Sequence, residues 1–161
     1  MKVPFSKMLV YLDGSEGSMD AYMYAVLLAK AVKASLHVVY VVNTKAVGDL
    51  VRSRIFIDKE SSEYLEDLRK DASRHIRHSE RVARSKGLTI KTAILEGSPH
   101  KAVQDYIKNN DIGLLVLGQA DEIRSRRDEL TSETDRMLRT VACPVLMVRG
   151  QEDIWSEFEE I

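Results

Sequence analysis

The chain has 161 residues, of which 24 are Lys or Arg and 25 are Asp or Glu, so its formal net charge is −1. This near-neutral balance excludes a broadly basic protein that binds nucleic acid or a membrane surface, and a single cysteine excludes an intrachain disulfide and a cysteine-rich metal site. The apolar runs are far shorter than the roughly 18 residues of a membrane span, and Met1–Pro4 does not begin an apolar leader. We therefore expect one cytoplasmic domain with no nucleic-acid or membrane partner.

The first third of the chain alternates apolar runs with a helical period. Residues 8–12 and 36–42 are continuous apolar runs, typical of parallel strands that are covered on both faces. The segment between them predicts a helix over 17–33, with an apolar face formed by Tyr22, Val26, Ala29 and Val32. Residues 43–59 have no clear period and indicate a connection that has room for a short helix.

A long helix is predicted next, ending at Gly87, and its acidic first half and basic second half match the helix dipole. Its apolar face is predicted to contain Leu65, Leu68, Ala72, Ile76, Ser79 and Ala83. Residues 89–95 form a more polar strand, which we expect at an edge of the sheet. Ser98 suits the N-cap of the following helix and Pro99 its first position. This helix buries Ala102, Val103, Tyr106 and Ile107.

The last third repeats the alternation of strand and helix. Residues 114–117 are a fourth buried strand, and a charged loop follows over 119–130. Ser132 caps a fourth helix that is predicted to bury Met137, Leu138 and Val141, and residues 143–149 form a fifth strand. Strict alternation predicts an α/β fold, in which helices cover both faces of a five-stranded, parallel, doubly wound sheet. We assign this domain to residues 1–149.

Residues 150–161 are predicted to form a separate acidic tail. The last eleven residues hold five acids and no base, so the rest of the chain, with 24 bases and 20 acids, has a net charge of +4. Four apolar side chains recur there at helical spacing: Ile154, Trp155, Phe158 and Ile161. This pattern predicts an amphipathic helix that docks on its own subunit, on a dimer mate or on another protein. A frayed acidic terminus is the alternative.

Candidate ligand-binding residues follow the strands, because ligands of doubly wound sheets bind beyond the carboxyl ends of the strands. Asp13 comes directly after the first strand, Val41 lies at the end of the second, and Gly118 closes the fourth. A carboxylate at such a point can hold a ribose hydroxyl, a metal ion or a phosphoryl group. The alternative is that Asp13 caps the first helix or accepts hydrogen bonds from turn amides.

Four segments carry a resemblance to a known family. The sequences at 13–15 (Asp-Gly-Ser), 96–99 (Glu-Gly-Ser-Pro), 114–118 (Leu-Leu-Val-Leu-Gly) and, most specifically, 132–149 are similar to the universal stress protein family, in the same order and over residues 4–149. The resemblance implies a Rossmann-like nucleotide-binding fold and a cytoplasmic, stress-related role. It also implies a homodimer formed through the last strand, residues 144–149.

The family divides into members that bind ATP and members that do not. Binders resemble the pattern Gly-x-x-Gly, nine residues, then Gly-Ser or Gly-Thr, in which glycines let backbone amides approach the phosphates. Gly118 and Ser132 match the ends of this pattern, but Asp121 and Thr131 replace two glycines. Thr is disfavoured at positive φ, and a carboxylate repels phosphate. A nearby cluster of three arginines (Arg124, Arg126 and Arg127) could offset part of that charge, but Asp128 and Glu129 follow at once.

Three functions remain open at this point. The first is a non-catalytic, dimeric regulatory module in which ATP binding is absent or altered, with no cofactor assured. The second is a sensor that binds ATP, AMP or another adenine nucleotide through Asp13, Val41, Gly118 and Ser132. The third is a slow nucleotide hydrolase or a phosphoacceptor at Asp13. A phosphoacceptor domain would have further acids close to the Asp and a Lys at the last strand. It is disfavoured here because Ser6-Lys7 precede the first strand and Arg149 ends the last strand.

The remaining polar candidates predict neither a metal site nor a catalytic residue. His75 and His78 are three residues apart on the long helix, where a solvated face is a better interpretation than a metal site. His37 lies within a strand and is expected in the core or at an interface, and His100 is expected to be exposed. Cys143 is expected to be a small buried residue, because no base near it in sequence would activate the thiol.

Overall fold

A computed structural model describes residues 4–119, 132–150 and 154–160. The described strands are β1 (Lys7–Leu12), β2 (Ser35–Val42), β3 (Lys91–Glu96), β4 (Leu114–Gly118) and β5 (Val145–Val148). The described helices are α1 (Glu16–Val32), α2 (Thr44–Arg52), α3 (Asp58–Ser85), α4 (Pro99–Asn109), α5 (Glu133–Thr140) and α6 (Ile154–Glu160). The five predicted strands and the four helices predicted between them are thus all present in the described residues. Helix α2 lies in the connection that had room for a short helix, and α6 lies in the tail, where an amphipathic helix was predicted.

The strands form one parallel sheet in the order β3-β2-β1-β4-β5. The chain moves outward from β1 to β3 and then crosses to the other side of β1, so the direction of winding reverses between β1 and β4. Met8 of β1 pairs with Leu36 of β2 on one side and with Leu114 of β4 on the other. This order confirms the predicted five-stranded parallel sheet and the edge position of β3.

Each face of the sheet is covered by helices. One core joins Val10, Val38 and Val116 to residues of α1, α3 and α6, and the other joins Leu9, Val39 and Leu115 to residues of α4 and α5. Because neighbouring residues of a strand point to opposite faces, a strand covered on both sides needs apolar residues throughout. This explains the continuous apolar runs of β1, β2 and β4.

The buried face of α1 follows the predicted period except at its end. Ser15 caps the helix by accepting a hydrogen bond from the Ser18 amide at 3.2 Å. Val32 is 38% exposed, which corrects its predicted burial. It is the last residue of α1, and the chain turns away towards β2 at Lys33, which has a left-handed φ of 57°. Ala34, in the turn, is buried instead.

A buried hydrogen bond ties α1 to α3. The Tyr22 hydroxyl donates to the backbone carbonyl of Ser79, and both side chains are fully buried. The Ser79 hydroxyl donates to the carbonyl of Ile76 at 2.7 Å. Because each hydroxyl has a partner, polar groups are accommodated on this apolar face at little cost.

We expect Tyr22→Phe to lower the free energy of unfolding by about 1 kcal/mol, since it removes a buried hydrogen bond and keeps the ring. Tyr24→Phe is the matched control, because Tyr24 lies on the same helix with its side chain 38% exposed. Urea denaturation of the two variants and the wild type measures the difference. Equal stability of the two variants would contradict the assigned bond.

The connection between β2 and α3 contains α2. Asn43 begins this helix, and its side chain accepts a hydrogen bond from the Ala46 amide at 3.0 Å. Val47 is the fully buried residue of α2. One buried position is too few to give a helical period, which is why the sequence predicts only a connection with room for a helix.

The structure corrects the predicted burial of one residue of α5. Leu138 is 42% exposed, not buried, because Met137 faces the sheet and occupies the core position of this short helix.

Ile154 and Phe158 of α6 are 3% and 8% exposed and belong to the core that includes α1. Helix α6 therefore packs on its own chain, while the Trp155 side chain and Ile161 lie outside the described part. No described helix is both long and apolar enough to cross a membrane.

Candidate functional site

A crevice opens at the carboxyl ends of β1, β2 and β4, where the winding of the sheet reverses. It has an apolar lobe of about 390 Å³ and a polar lobe of about 140 Å³. Both lobes share Tyr11, Asp13 and Glu133. The apolar lobe is formed mainly by Tyr40, Val41, Val42, Val47, Leu50, Tyr64, Leu68 and Pro99. The polar lobe is formed mainly by Ser15, Ser18, Gly118, Gln119, Ser132 and Thr134.

Asp13 lies exposed between the lobes, in the turn that joins β1 to α1. Its Oδ1 accepts hydrogen bonds from the Ser15 amide at 2.9 Å and from the Ser15 hydroxyl at 2.5 Å. Ser15, rather than Asp13, caps α1. The carboxylate is thus fixed in the turn and remains accessible from the crevice.

Two tyrosines form the floor of the crevice near Asp13. Tyr11 is 7% exposed, and burial, together with the charges of Asp13 and Glu133, raises its phenol pKa well above the ordinary value. Burial and Asp13 also raise the pKa of Tyr40. Both phenols therefore stay neutral at physiological pH and can serve as hydrogen-bonding groups.

The Tyr40 ring stacks on His75, with centroids 5.4 Å apart and planes 12° apart. His75 is half-buried, which corrects its predicted place on a solvated face, whereas His78 is exposed as expected. The physical reason is that α3 packs against β2 here, so that the imidazole of His75 covers one face of the Tyr40 ring. Among the residues described, no group of three acids, histidines or cysteines is placed to hold a metal ion.

Glu133, in the first turn of α5, joins that helix to α4. Its Oε2 accepts a hydrogen bond from the His100 amide at 2.9 Å and lies 3.0 Å from His100 Nδ1. Its Oε1 accepts one from Arg136 Nη1 at 3.0 Å. The His100 side chain is only 19% exposed, which corrects its predicted exposure. Helix α5 covers the start of α4, and the sequence spacing does not reveal this packing.

Gly118 lies where the end of β4 meets the start of α1. A Cβ at this position would overlap the carbonyl oxygen of Gly17, and a Cβ at Gly17 would overlap the carbonyl of Gln119. The two glycines therefore let the backbone at the end of β4 touch the backbone of α1. This close packing is a structural reason for Gly118 that is independent of any ligand in the polar lobe. Ser132, across this lobe, caps α5 by accepting a hydrogen bond from the Asp135 amide at 3.4 Å.

A sequence model of the Universal stress protein family matches residues 4–149. The chain belongs to the universal stress protein family. The universal stress protein YxiE of Bacillus subtilis is 29% identical over 151 residues, which cover 90% of this chain and 99% of that protein. The solved structure of the universal stress protein UspA from Lactobacillus plantarum is 25% identical, with a TM-score of 0.74, and covers 92% of this chain and 100% of that chain.

Two other solved structures contain adenine nucleotides. A universal stress protein in complex with cAMP is 20% identical with a TM-score of 0.59, over 90% of this chain and 97% of that chain. A universal stress protein family protein from Arabidopsis thaliana with AMP bound is 14% identical with a TM-score of 0.63, over 91% and 93%. At these identities the likeness establishes a shared fold.

The structure brings the four predicted site residues of this universal stress protein to one crevice. Asp13 and Val41 line the apolar lobe, and Asp13, Gly118 and Ser132 line the polar lobe. The two positions that replace glycines in the ATP-binding pattern, Asp121 and Thr131, lie outside the described residues, as do the three arginines between them.

Sequence reasoning missed two residues that line both lobes. Tyr11 follows from strand geometry, because it is the second-last residue of β1 and points to the same face as Leu9. Glu133 carries a weaker signal, as an acid directly after the N-cap Ser132. The pairing of Glu133 with His100 depends on contacts between distant parts of the chain and has no local signal.

Two further predicted residues lie away from the crevice. Cys143 is half-buried, and burial raises the pKa of its thiol, which opposes a role as a nucleophile. His37 is 3% exposed in β2, with Nδ1 2.8 Å from the Tyr106 hydroxyl. Its Nε2 is buried without a hydrogen-bond partner in the described structure.

We expect His37 to make the protein less stable at acidic pH. Burial, reinforced by Lys91 and Lys7, lowers the imidazole pKa in the folded state. The unfolded chain then binds a proton at about pH 6.5 while the folded chain does not, so stability falls as pH decreases through that value. Denaturant midpoints between about pH 7.5 and 5.5 measure the slope. His37→Gln should flatten it more than His78→Gln, an exposed control, and equal slopes would contradict the assignment.

Proposed function

We propose that this universal stress protein is a non-catalytic regulatory module that responds to an adenine nucleoside or nucleotide bound in the crevice. The observation that carries the proposal is the joining of an apolar lobe to a fixed carboxylate at the point where the sheet winding reverses. Pockets for small molecules have volumes of about 300–1,000 Å³, and the 390 Å³ of the apolar lobe lies in that range.

The chemistry of the lining supports this class of ligand. Val41, Val42 and Leu50 offer apolar surface for a flat base, and Asp13 can accept hydrogen bonds from ribose hydroxyls. Solved structures of two proteins with the same fold contain bound cAMP and AMP. We assign no reaction to the site; Asp13 Oδ1 accepts both hydrogen bonds from Ser15, and Oδ2 is the oxygen offered to a ribose hydroxyl.

We also propose a homodimer formed through residues 144–149. In the described sheet β5 is an edge strand, and Val145, Leu146 and Met147 are only half-buried in the single chain. A second copy would satisfy the open backbone groups of this edge and cover its apolar side chains. A cytoplasmic location is part of the proposal, since one unpaired cysteine suits a reducing compartment.

Calorimetric titration with adenosine, AMP, cAMP, ADP and ATP tests the proposed ligand class. We expect at least one dissociation constant below about 1 mM, the weak end of the useful range. Asp13→Ala should weaken that ligand by about tenfold or more, because a hydrogen bond to a charged group is lost. Asp105→Ala is the control, since this acid is exposed on α4 and outside the crevice lining.

The second candidate is an interaction module that binds no nucleotide. It is favoured by the sequence, in which Asp121 and Thr131 stand where ATP binders have glycines. Failure of all five ligands to bind below about 1 mM, with no nucleotide released from freshly purified protein, would overturn the proposed ligand and favour this candidate.

A further inference from the structure

Glu133 stands at the junction of the two lobes. It is one of three residues, with Asp13 and Tyr11, that line both the apolar and the polar lobe. A ligand whose base fills the apolar lobe and whose other end extends into the polar lobe therefore passes two carboxylates. Among the described residues, Asp13 and Glu133 place two carboxylates where the lobes meet.

The Glu133 carboxylate is held in place by both of its oxygens. Oε2 accepts a hydrogen bond from the His100 amide, and Oε1 accepts one from Arg136 Nη1. The His100 amide belongs to the first turn of α4, where the helix dipole favours an anion. The side chain is 21% exposed, so moving it aside would leave an amide and a guanidinium without their partner. The protein's own carboxylate thus engages an amide and a guanidinium, two groups that can each pair with an anion.

We propose that Glu133 makes the crevice select adenine ligands without a phosphate chain, so that adenosine binds more tightly than ATP. This inference rests on the proposed function, because it names the ligand class of the same crevice. The selection is made by repulsion between the fixed carboxylate and a polyphosphate and by the occupation of Arg136. Adenosine has no charge at that end and is not affected.

The Glu133→Gln variant separates charge from shape. Glutamine keeps an oxygen that can accept the His100 amide, but it no longer neutralises Arg136 or repels phosphate. Asp135→Asn is the matched control. It removes the same charge from the first turn of α5, at a position that is outside the crevice lining.

Titration of the wild type and both variants with adenosine, AMP and ATP tests the inference, in EDTA and again with Mg²⁺. In EDTA we expect the wild type to bind adenosine at least about tenfold more tightly than ATP, a difference of about 1.4 kcal/mol. Glu133→Gln should reduce that ratio about tenfold by raising the affinity for ATP, whereas Asp135→Asn should preserve the ratio. Thermal melts check that each variant is folded.

The outcomes distinguish this inference from the proposed function. If the wild type binds ATP as tightly as adenosine, or if folded Glu133→Gln leaves the ratio unchanged, the role of Glu133 is wrong while the adenine site stands. If none of the three ligands binds to any of the three proteins, the inference falls, and the proposed function fails with it when ADP and cAMP do not bind either. A preference for adenosine that Glu133→Gln removes and Asp135→Asn retains is the supporting result.

Discussion

Gly118→Ala is expected to lower the free energy of unfolding by about 1–3 kcal/mol, the usual cost of inserting atoms into a closely packed region. The added methyl group would overlap the carbonyl of Gly17 and would force β4 and α1 apart. Since neither neighbour is the end of a flexible side chain, the strain falls on the backbone of two core elements. Denaturant unfolding at neutral pH measures the loss.

Gly48→Ala is the control for this prediction. Gly48 lies within α2, and a Cβ there would meet only Arg52, at the ordinary distance of 3.6 Å. Alanine is favoured over glycine in helices by up to about 1 kcal/mol, so this variant should be slightly more stable than the wild type. A Gly118→Ala protein as stable as Gly48→Ala would show that β4 and α1 do not touch as described.

Phe158→Ala is expected to cost about 2–3 kcal/mol, near the lower end of values for a buried aromatic residue, because a terminal helix can detach. Phe158 is 8% exposed against the core that includes α1, and the Lys86 ammonium lies 4.8 Å from its ring centroid. The Lys86 ammonium also donates to the Glu159 carbonyl at 3.5 Å. Thermal and urea unfolding of the full-length variant measure this contribution.

Glu157→Ala is the control, since this acid is exposed on the outer face of α6, and it should change stability by less than about 0.5 kcal/mol. Equal stability of Phe158→Ala and the wild type would contradict the docking of α6. Because the family match ends at residue 149, we propose that residues 150–161 are an element added to the family domain. Helix α6 then stabilises the face of the sheet opposite α4 and α5.

The sheet could be predicted because its strands are covered on both faces. Continuous apolar runs mark β1, β2 and β4, and the more polar β3 is marked as an edge strand. The burial of single residues was less predictable. Val32 and Leu138 fit an apolar pattern and are exposed, since a helix end and a one-residue offset in a short helix decide their positions.

Only the part of the candidate site that follows from the order and direction of the strands could be predicted from the sequence. The carboxyl ends of parallel strands meet at one edge, so Asp13, Val41 and Gly118 could be expected near one another before the structure was known. The partners of Glu133 and His75 could not be expected in this way. His100 is 33 residues from Glu133, and Tyr40 is on a different element from His75, so packing alone brings them together.

A crystal structure of the protein grown with adenosine tests the central claim most directly. We predict density for the base in the apolar lobe beside Val41, with a ribose hydroxyl within hydrogen-bonding distance of an Asp13 carboxylate oxygen. Glu133 should keep its bonds to His100 and Arg136. An empty crevice at millimolar adenosine, or adenosine bound elsewhere on the chain, would contradict the account.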